Sequence, residues 1–235
     1  SNKLTRNCKI VQLSDLHTGP VLKRKWVEGV VKKVNELNPD LIVITGDSVD
    51  CFVENGLEIM EPFKDFKSPV YMIMGNHEYY CNAPEWVNAY NKMGIKILKN
   101  ENVVIDNNFV LGGADWGHQY IDDSNHYIAK TFNNAPQNMP KVLLAHYPKC
   151  FKEAKEEGVL LTLSGHTHGG QTFPPNIFVK MSNGGYLRGL YKEKNSKGED
   201  SFLYVNDGTG LWAGMPARLG SSNEITIIDL VANKN

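Results

Sequence analysis

The sequence has no long apolar run. Stretches such as Leu41–Ile44 fall far short of the about 20 residues needed to cross a bilayer, which excludes a multi-pass membrane protein. It has no C-x-x-C pair. The four cysteines (Cys8, Cys51, Cys81, Cys150) are scattered, and read as reduced, packed thiols in a reducing compartment. It has no excess of one charge. Lys plus Arg total 25 against 26 Asp plus Glu, a net charge of −1, so the basic surplus of a general nucleic-acid binder is missing. Internal repeats and low-complexity linkers are missing too. What is present is ordinary globular composition over 235 residues, 41% hydrophobic and 22% charged. A chain of this length buries roughly 70% of the surface that its unfolded form exposes, and needs no disulfide staples. Ser1 and Asn2 read as a tag remnant or truncation scar, and residues 3–235 as a single domain. The expected location is cytoplasmic, or at a membrane through a segment outside this sequence.

The first half alternates strand and helix. Ile10–Leu13, Leu41–Thr45 and Val70–Met74 read as buried strands. Trp26 to Leu37 has helical spacing, Gly56–Phe66 reads as a helix broken near Pro62, and Pro84–Met93 as a helix with proline near its start. Ile95–Lys99, Asn102–Asp106 and Phe109–Gly113 follow as short strands, with Asn107-Asn108 as a turn. Trp116–Asn138 reads as loop with one short helix. Val142–Ala145 and Leu160–Leu163 are again strands, around a helix near Lys149–Glu157. In the Gly- and Pro-rich last third, Ile177–Lys180, Phe202–Asn206 and Glu224–Leu230 are expected as strands, and Lys192 to Asp200 as a solvated hairpin loop. The pattern fits an α/β architecture of two stacked sheets with helices outside.

Polar residues sit where these strands end. Asp15 and His17 follow the first, Asp47 the second, and Asn76 and His77 the third. His146 follows Val142–Ala145, and His166 and His168 follow the next strand. In open α/β sheets ligands bind beyond the carboxyl ends of the strands. Five of the seven histidines lie at such ends, which makes coincidence a poor explanation. Imidazole, carboxylate and carboxamide form a mixed N/O donor set suited to Mn, Fe, Zn, Ni or Co. Two metal ions close together need one ligand able to touch both, and the carboxylate of Asp47 is the candidate.

The series Asp15-x-His17, Gly46-Asp47, Gly75-Asn76-His77-Glu78, His146 and Gly165-His166-Thr167-His168 resembles the calcineurin-like metallophosphoesterases. That resemblance implies a four-layer α/β/β/α sandwich of two mixed sheets. It implies a first divalent metal on Asp15, His17, Asp47 and His168, and a second on Asp47, Asn76, His146 and His166. His77 would be the non-ligand histidine beside the substrate phosphate, with Asn76 also touching substrate. The block from Gly165 to Gln171 and the tail through Asp207, Pro216, Arg218 and Glu224 resemble a bacterial subgroup of phosphohydrolases and phosphodiesterases, often with a membrane anchor before the domain. Some relatives act on UDP-2,3-diacylglucosamine. The chemistry follows from the parts: two metals lower the pKa of a bridging water and clamp the phosphoryl oxygens, and His77 stabilises the transition state or protonates the leaving oxygen.

Other residues carry two readings. Glu78 reads first as an exposed acid, and second, with Gln171, as a partner of histidine N–H groups. His118 and His126 read as solvated loop residues. Arg218 is either a clamp for a phosphate or carboxylate, or a structural ion pair with Glu224. Phe173, Phe178, Tyr186, Leu187, Leu190, Tyr191, Leu211 and Trp212 are either core or an apolar mouth for a lipid or nucleoside. The resulting expectation is a dinuclear phosphodiesterase or pyrophosphatase on a phosphoester small molecule or a lipid- or nucleotide-linked substrate. Association with a membrane surface is compatible with it, and the oligomeric state is open. The alternative is a non-catalytic protein-binding scaffold on the same fold. A dinuclear hydrolase of C–N bonds is a third reading, and would lack the Gly-Asn-His block.

Overall fold

A computed structural model describes residues 3–115, 127–171, 176–212, 214 and 217–232. The expectations placed on Ser1, Asn2, His118, His126, Phe173 and Pro216 lie outside the described residues. The chain opens with β1 (Cys8–Leu13), α1 (Arg24–Glu36), β2 (Leu41–Ile44), α2 (Val53–Met60), β3 (Val70–Met72), α3 (Asn76–Tyr80) and α4 (Ala83–Lys92). It continues through β4 (Lys96–Ile97), β5 (Glu101–Ile105), β6 (Phe109–Ala114), α5 (Tyr127–Thr131), β7 (Lys141–Ala145), α6 (Phe151–Glu156) and β8 (Leu161–Ser164). It closes with α7 (Asn176–Ser182), β9 (Gly189–Lys194), β10 (Asp200–Val205) and β11 (Thr226–Leu230).

These strands form two mixed sheets, in the order β11-β1-β2-β3-β4 and β5-β6-β7-β8-β10-β9. The inner strands of each run parallel, and β11, β5 and β9 join antiparallel at the edges. Alternation within the strands sets the layers. Leu41 and Val43 of β2 face Leu111, Val142, Leu144 and Leu163 of the second sheet in one apolar cluster. Ile42 and Ile44 turn the other way, onto α1, α2 and α4. Val110, Leu143 and Ala145 likewise turn outward onto α5 and α6. Successive strand side chains point to opposite faces, so a strand covered on both sides must be apolar, as β2 is throughout and β7 is after Lys141. The result is the expected four-layer α/β/β/α sandwich.

The differences from the sequence reading are local. The helix expected from Gly56 begins at Val53 and passes into a 3-10 turn, Glu61–Asp65, at Pro62. Ile177–Lys180, expected as a strand, belongs to helix α7. A four-residue apolar run does not distinguish the two, and the Pro-Pro-Asn that precedes it in sequence is a helix-start signal. The charged segment after Tyr191 is a hairpin whose strands run further into it than expected: β9 reaches Lys194 and β10 begins at Asp200, with the Lys192 and Lys194 ammonium groups holding Asp200 at 2.7 and 2.8 Å. Tyr186 is core rather than mouth, packed edge-on against Phe151.

Candidate metal centre

The carboxyl ends of β1, β2, β3, β7 and β8 all open on the same side, and the loops there are stitched together by backbone hydrogen bonds. Asp15 N–H donates to the Gly46 carbonyl at 2.9 Å, His17 N–H to Asp47 at 3.0 Å, and Thr209 N–H to Ser14 at 2.7 Å. Below them the side chain of Gln12, buried between the sheets, donates to Thr45 Oγ1 at 3.1 Å and the Ser164 carbonyl at 3.0 Å. Asp15, His17, Asp47, His166 and His168 all have positive φ, between 49° and 69°. Such residues are uncommon outside glycine and cost free energy, so five together mark a backbone held against its preference. Gly75 is required for a separate reason: a Cβ there would lie 2.6 Å from the Asp47 backbone nitrogen.

The side chains gather into two buried clusters. In the first, His17 Nε2 lies 3.0 Å from His168 Nε2, and Asp15 Oδ1 lies 3.4 Å from His168 Nε2. In the second, Asp47 Oδ2 lies 3.1 Å from His146 Nε2, which is 3.2 Å from both His166 Nδ1 and Asn76 Oδ1. The ligand atoms of the first trio lie 3.0, 3.4 and 4.0 Å apart, within the reach of a single ion whose bonds are about 2.1 Å long. The two clusters bring together the seven residues named from the sequence, with Asp47 lying in the second.

The chemistry of the donors fits divalent transition ions. His146 Nδ1 is 2.7 Å from the Thr45 carbonyl, which fixes Nδ1 as the N–H and turns Nε2 into the cluster. Burial, and then the charge of His146, push the His166 imidazole down to about 3. Burial followed by His17 and Arg218 holds His168 well below its usual range. Both rings are therefore neutral, the form that donates a lone pair to a metal. Burial acts to raise Asp47, but the charge of His146 and its hydrogen bond outweigh it and keep the carboxyl ionised. His146 is pushed up to about 9, because Asp47 outweighs the opposing effect of burial. That proton sits where a cation would compete for the same lone pair.

Two positions carry more than the sequence reading gave them. Glu78 is fully buried, not exposed. It accepts from the backbone N–H groups of Gly75 at 2.7 Å, Asp47 at 2.9 Å and Ser48 at 2.5 Å, so it fixes the turns that carry Asp47 and Asn76. The Gly75-x-x-Glu78 spacing is that of the back-reaching half of a helix capping box, which is the signal that would have found it. Asp50 was missed altogether. Its Oδ1 is 2.7 Å from His17 Nδ1 and 2.7 Å from His77 Nδ1, so one carboxylate orients both imidazoles. The nearby grouping of His17, Asp50 and His77 is accounted for by these hydrogen bonds. Arg218 forms no ion pair with Glu224. Its guanidinium donates to the carbonyls of His168 at 3.2 Å and Gly210 at 2.8 Å, behind the first cluster.

A cavity of about 450 Å³ opens over both clusters, lined on its floor by Asp47, Asn76, His77, His166 and His168. Its rim is Tyr80, Val179, Ser182, Asn183 and Trp212. A larger depression of about 560 Å³ between α1 and the Pro62 turn holds no such grouping.

The four-layer sandwich thus carries, beyond its strand ends, two acid–imidazole clusters of the kind that hold divalent metal ions. The chain belongs to the calcineurin-like phosphoesterases, whose family model matches residues 8–170. A metallophosphoesterase of Helicobacter pylori is 34% identical over 98% of this chain and 61% of its own length. A Danio rerio transmembrane protein with metallophosphoesterase domain is 35% identical over 94% of this chain and 53% of its own length. The chain thus spans little more than half of these relatives. Among solved structures, a 5'-nucleotidase precursor from Thermus thermophilus aligns over 96% of this chain and 54% of its own, with a TM-score of 0.58 and 14% identity. GAP50, the anchor in the inner membrane complex of Plasmodium, aligns over 97% of this chain and 82% of its own at 0.59 and 11%. At these identities the solved structures share the fold. The family is one of phosphoesterases that generally bind two divalent metals, and the two clusters are the candidate positions.

Proposed function

We propose that this chain is a dinuclear phosphodiesterase or pyrophosphatase acting on a phosphoester with an apolar or aromatic group, lipid- or nucleotide-linked, at a membrane surface. The observation that carries it is one cavity whose floor is reached by members of both acid–imidazole clusters, His168 of the first and Asp47 and His166 of the second, with Trp212, Val179 and Tyr80 on its rim. Asp15, His17 and His168 would hold one ion and Asn76, His146 and His166 the other, with Asp47 shared. Two such ions, whether Mn, Fe, Zn, Ni or Co, supply an activated water and neutralise charge on the phosphoryl oxygens. The protein does the rest. His77 lines the cavity with its Nδ1 held by Asp50, which leaves Nε2 as the atom that would stabilise the phosphoryl group or protonate the leaving oxygen. Asn76 offers its carboxamide to the same group. The Arg218 guanidinium anchors the loop behind His168. The membrane reading draws on the Danio rerio relative's name, and the nucleotide reading on the nucleotidase neighbour.

The test compares turnover of bis(p-nitrophenyl) phosphate and p-nitrophenyl phosphate, with and without added Mn²⁺. Metal-dependent turnover that favours the diester is expected. Preference for the monoester would overturn the diesterase reading. No turnover by metal-loaded protein would favour the scaffold reading, against which the full set of donor residues and His77 speaks.

A further inference from the structure

Helix α7 is unlike the other helices described. None of its seven residues is buried. Ile177, Phe178 and Met181 are 54%, 75% and 73% exposed. They fall at i, i+1 and i+4, hence on one face, while Val179 and Ser182 turn to the cavity rim. An isolated helix this short is marginal in water, and its apolar face is the one that should be packed. The surroundings share this character. Leu219, 69% exposed, is tied by its N–H to the Gln171 carbonyl at 2.8 Å, and Gln171 lines the cavity. Trp212 and Tyr80, 40% and 62% exposed, stand on the same rim. Exposed apolar residues scattered singly mean little, but a group around one opening marks an interaction surface.

The charge beside this group is positive, in a chain whose net charge is −1. Lys180 is exposed on α7 itself. Lys149 and Lys152 are exposed and lie against Gly184, just past the end of the helix; a Cβ on Gly184 would be 3.4 Å from Lys149 and 3.5 Å from Lys152. Glu193, whose charge faces Lys152, is already held by Lys155 at 2.7 Å. An apolar face with lysines at its border is the pattern that lies in a bilayer interface, side chains in the acyl boundary and ammonium groups among anionic headgroups.

We infer that the outward face of α7, with Ile177, Phe178 and Met181, is the surface by which this chain lies against an anionic lipid bilayer. The cavity mouth then opens onto the headgroup layer, and a lipid-borne phosphoester reaches the floor past Trp212 without crossing water. This rests on the phosphoesterase reading only for what enters the cavity; the docking itself does not.

The experiment is co-sedimentation of the chain with phosphatidylcholine vesicles containing phosphatidylglycerol, for the natural sequence and for Phe178→Glu with Met181→Glu. Bis(p-nitrophenyl) phosphate turnover in free solution is measured on the same samples. The natural chain is expected to pellet with the vesicles, and the double variant to bind about tenfold or more weakly at unchanged turnover of the soluble diester. A natural chain that stays in the supernatant, or a variant that pellets equally, overturns the inference. So does a concentration-dependent dimer dispersed by the same two substitutions, which would assign the face to a second copy. Vesicle binding without turnover of the soluble diester would leave the docking face standing and defeat the phosphoesterase reading instead.

Discussion

At the scale of single residues, the side chains that could touch metal were legible and those that hold them were not. Asp15, His17, Asp47, Asn76, His146, His166 and His168 each follow a recognisable strand, so their meeting place follows from the sheet. Asp50 follows no strand end and has no residue-type signal; only the fold brings it to His17 and His77. Glu78 was visible as a spacing and read as a surface acid, because carboxylates are seldom buried unless paired. Three backbone N–H groups supply the pairing. Burial acts to raise the Asp50 carboxyl, but the hydrogen bonds from His17 and then His77 hold it at about 2. It is therefore an anion at any working pH. Asp50→Asn keeps the shape and removes the charge that orients both rings. Turnover and metal affinity are expected to fall about 10- to 100-fold, the usual cost of losing a partner to a ligand histidine. Steady-state kinetics with a metal titration checks this, and unchanged values for both would remove Asp50 from the site.

At the scale of elements, strands buried on both faces and the long amphipathic helices are plain in the sequence, because a period of 2 or 3.6 repeats over several residues. Short elements are not. α3 has five residues and α7 seven, too few for periodicity to speak, and α7 was misread for that reason. Two glycines separate the kinds of constraint acting on elements. Gly75 has no room for a side chain, since a Cβ would meet the backbone of Asp47. Gly75→Ala is expected to displace Asp47, lowering turnover and metal retention together while the fold remains, as judged by circular dichroism. Gly29 lies within α1 with nothing within 4 Å of its Cβ position. Gly29→Ala is expected to raise stability by about 0.5–1 kcal/mol without touching activity, measured by urea denaturation. Destabilisation by Gly29→Ala would mean that the helix surface there is covered.

At the scale of the whole molecule, the two sheets share an apolar interior, and the polar residues of their strand ends are driven to one rim. The layers follow from burial alone, whereas the clusters need backbone that burial does not favour: five residues of the site at positive φ. Bound ions would offset that cost. A ligand that binds only the folded chain adds stability as its concentration rises above Kd. Removal of metal by a chelator is accordingly expected to lower Tm by several degrees, with recovery on adding Mn²⁺, as scanning calorimetry would register. A Tm indifferent to chelation would mean that the clusters stand without ions.

The assignment of Asp47 as the ligand common to both clusters is the centre of this reading, and elemental analysis of Mn²⁺-reconstituted protein tests it most directly. The natural chain should hold about two ions, and Asp47→Ala should lose most of both, since a shared ligand serves each of them. Two ions retained by Asp47→Ala would contradict it, and so would a natural chain that holds none.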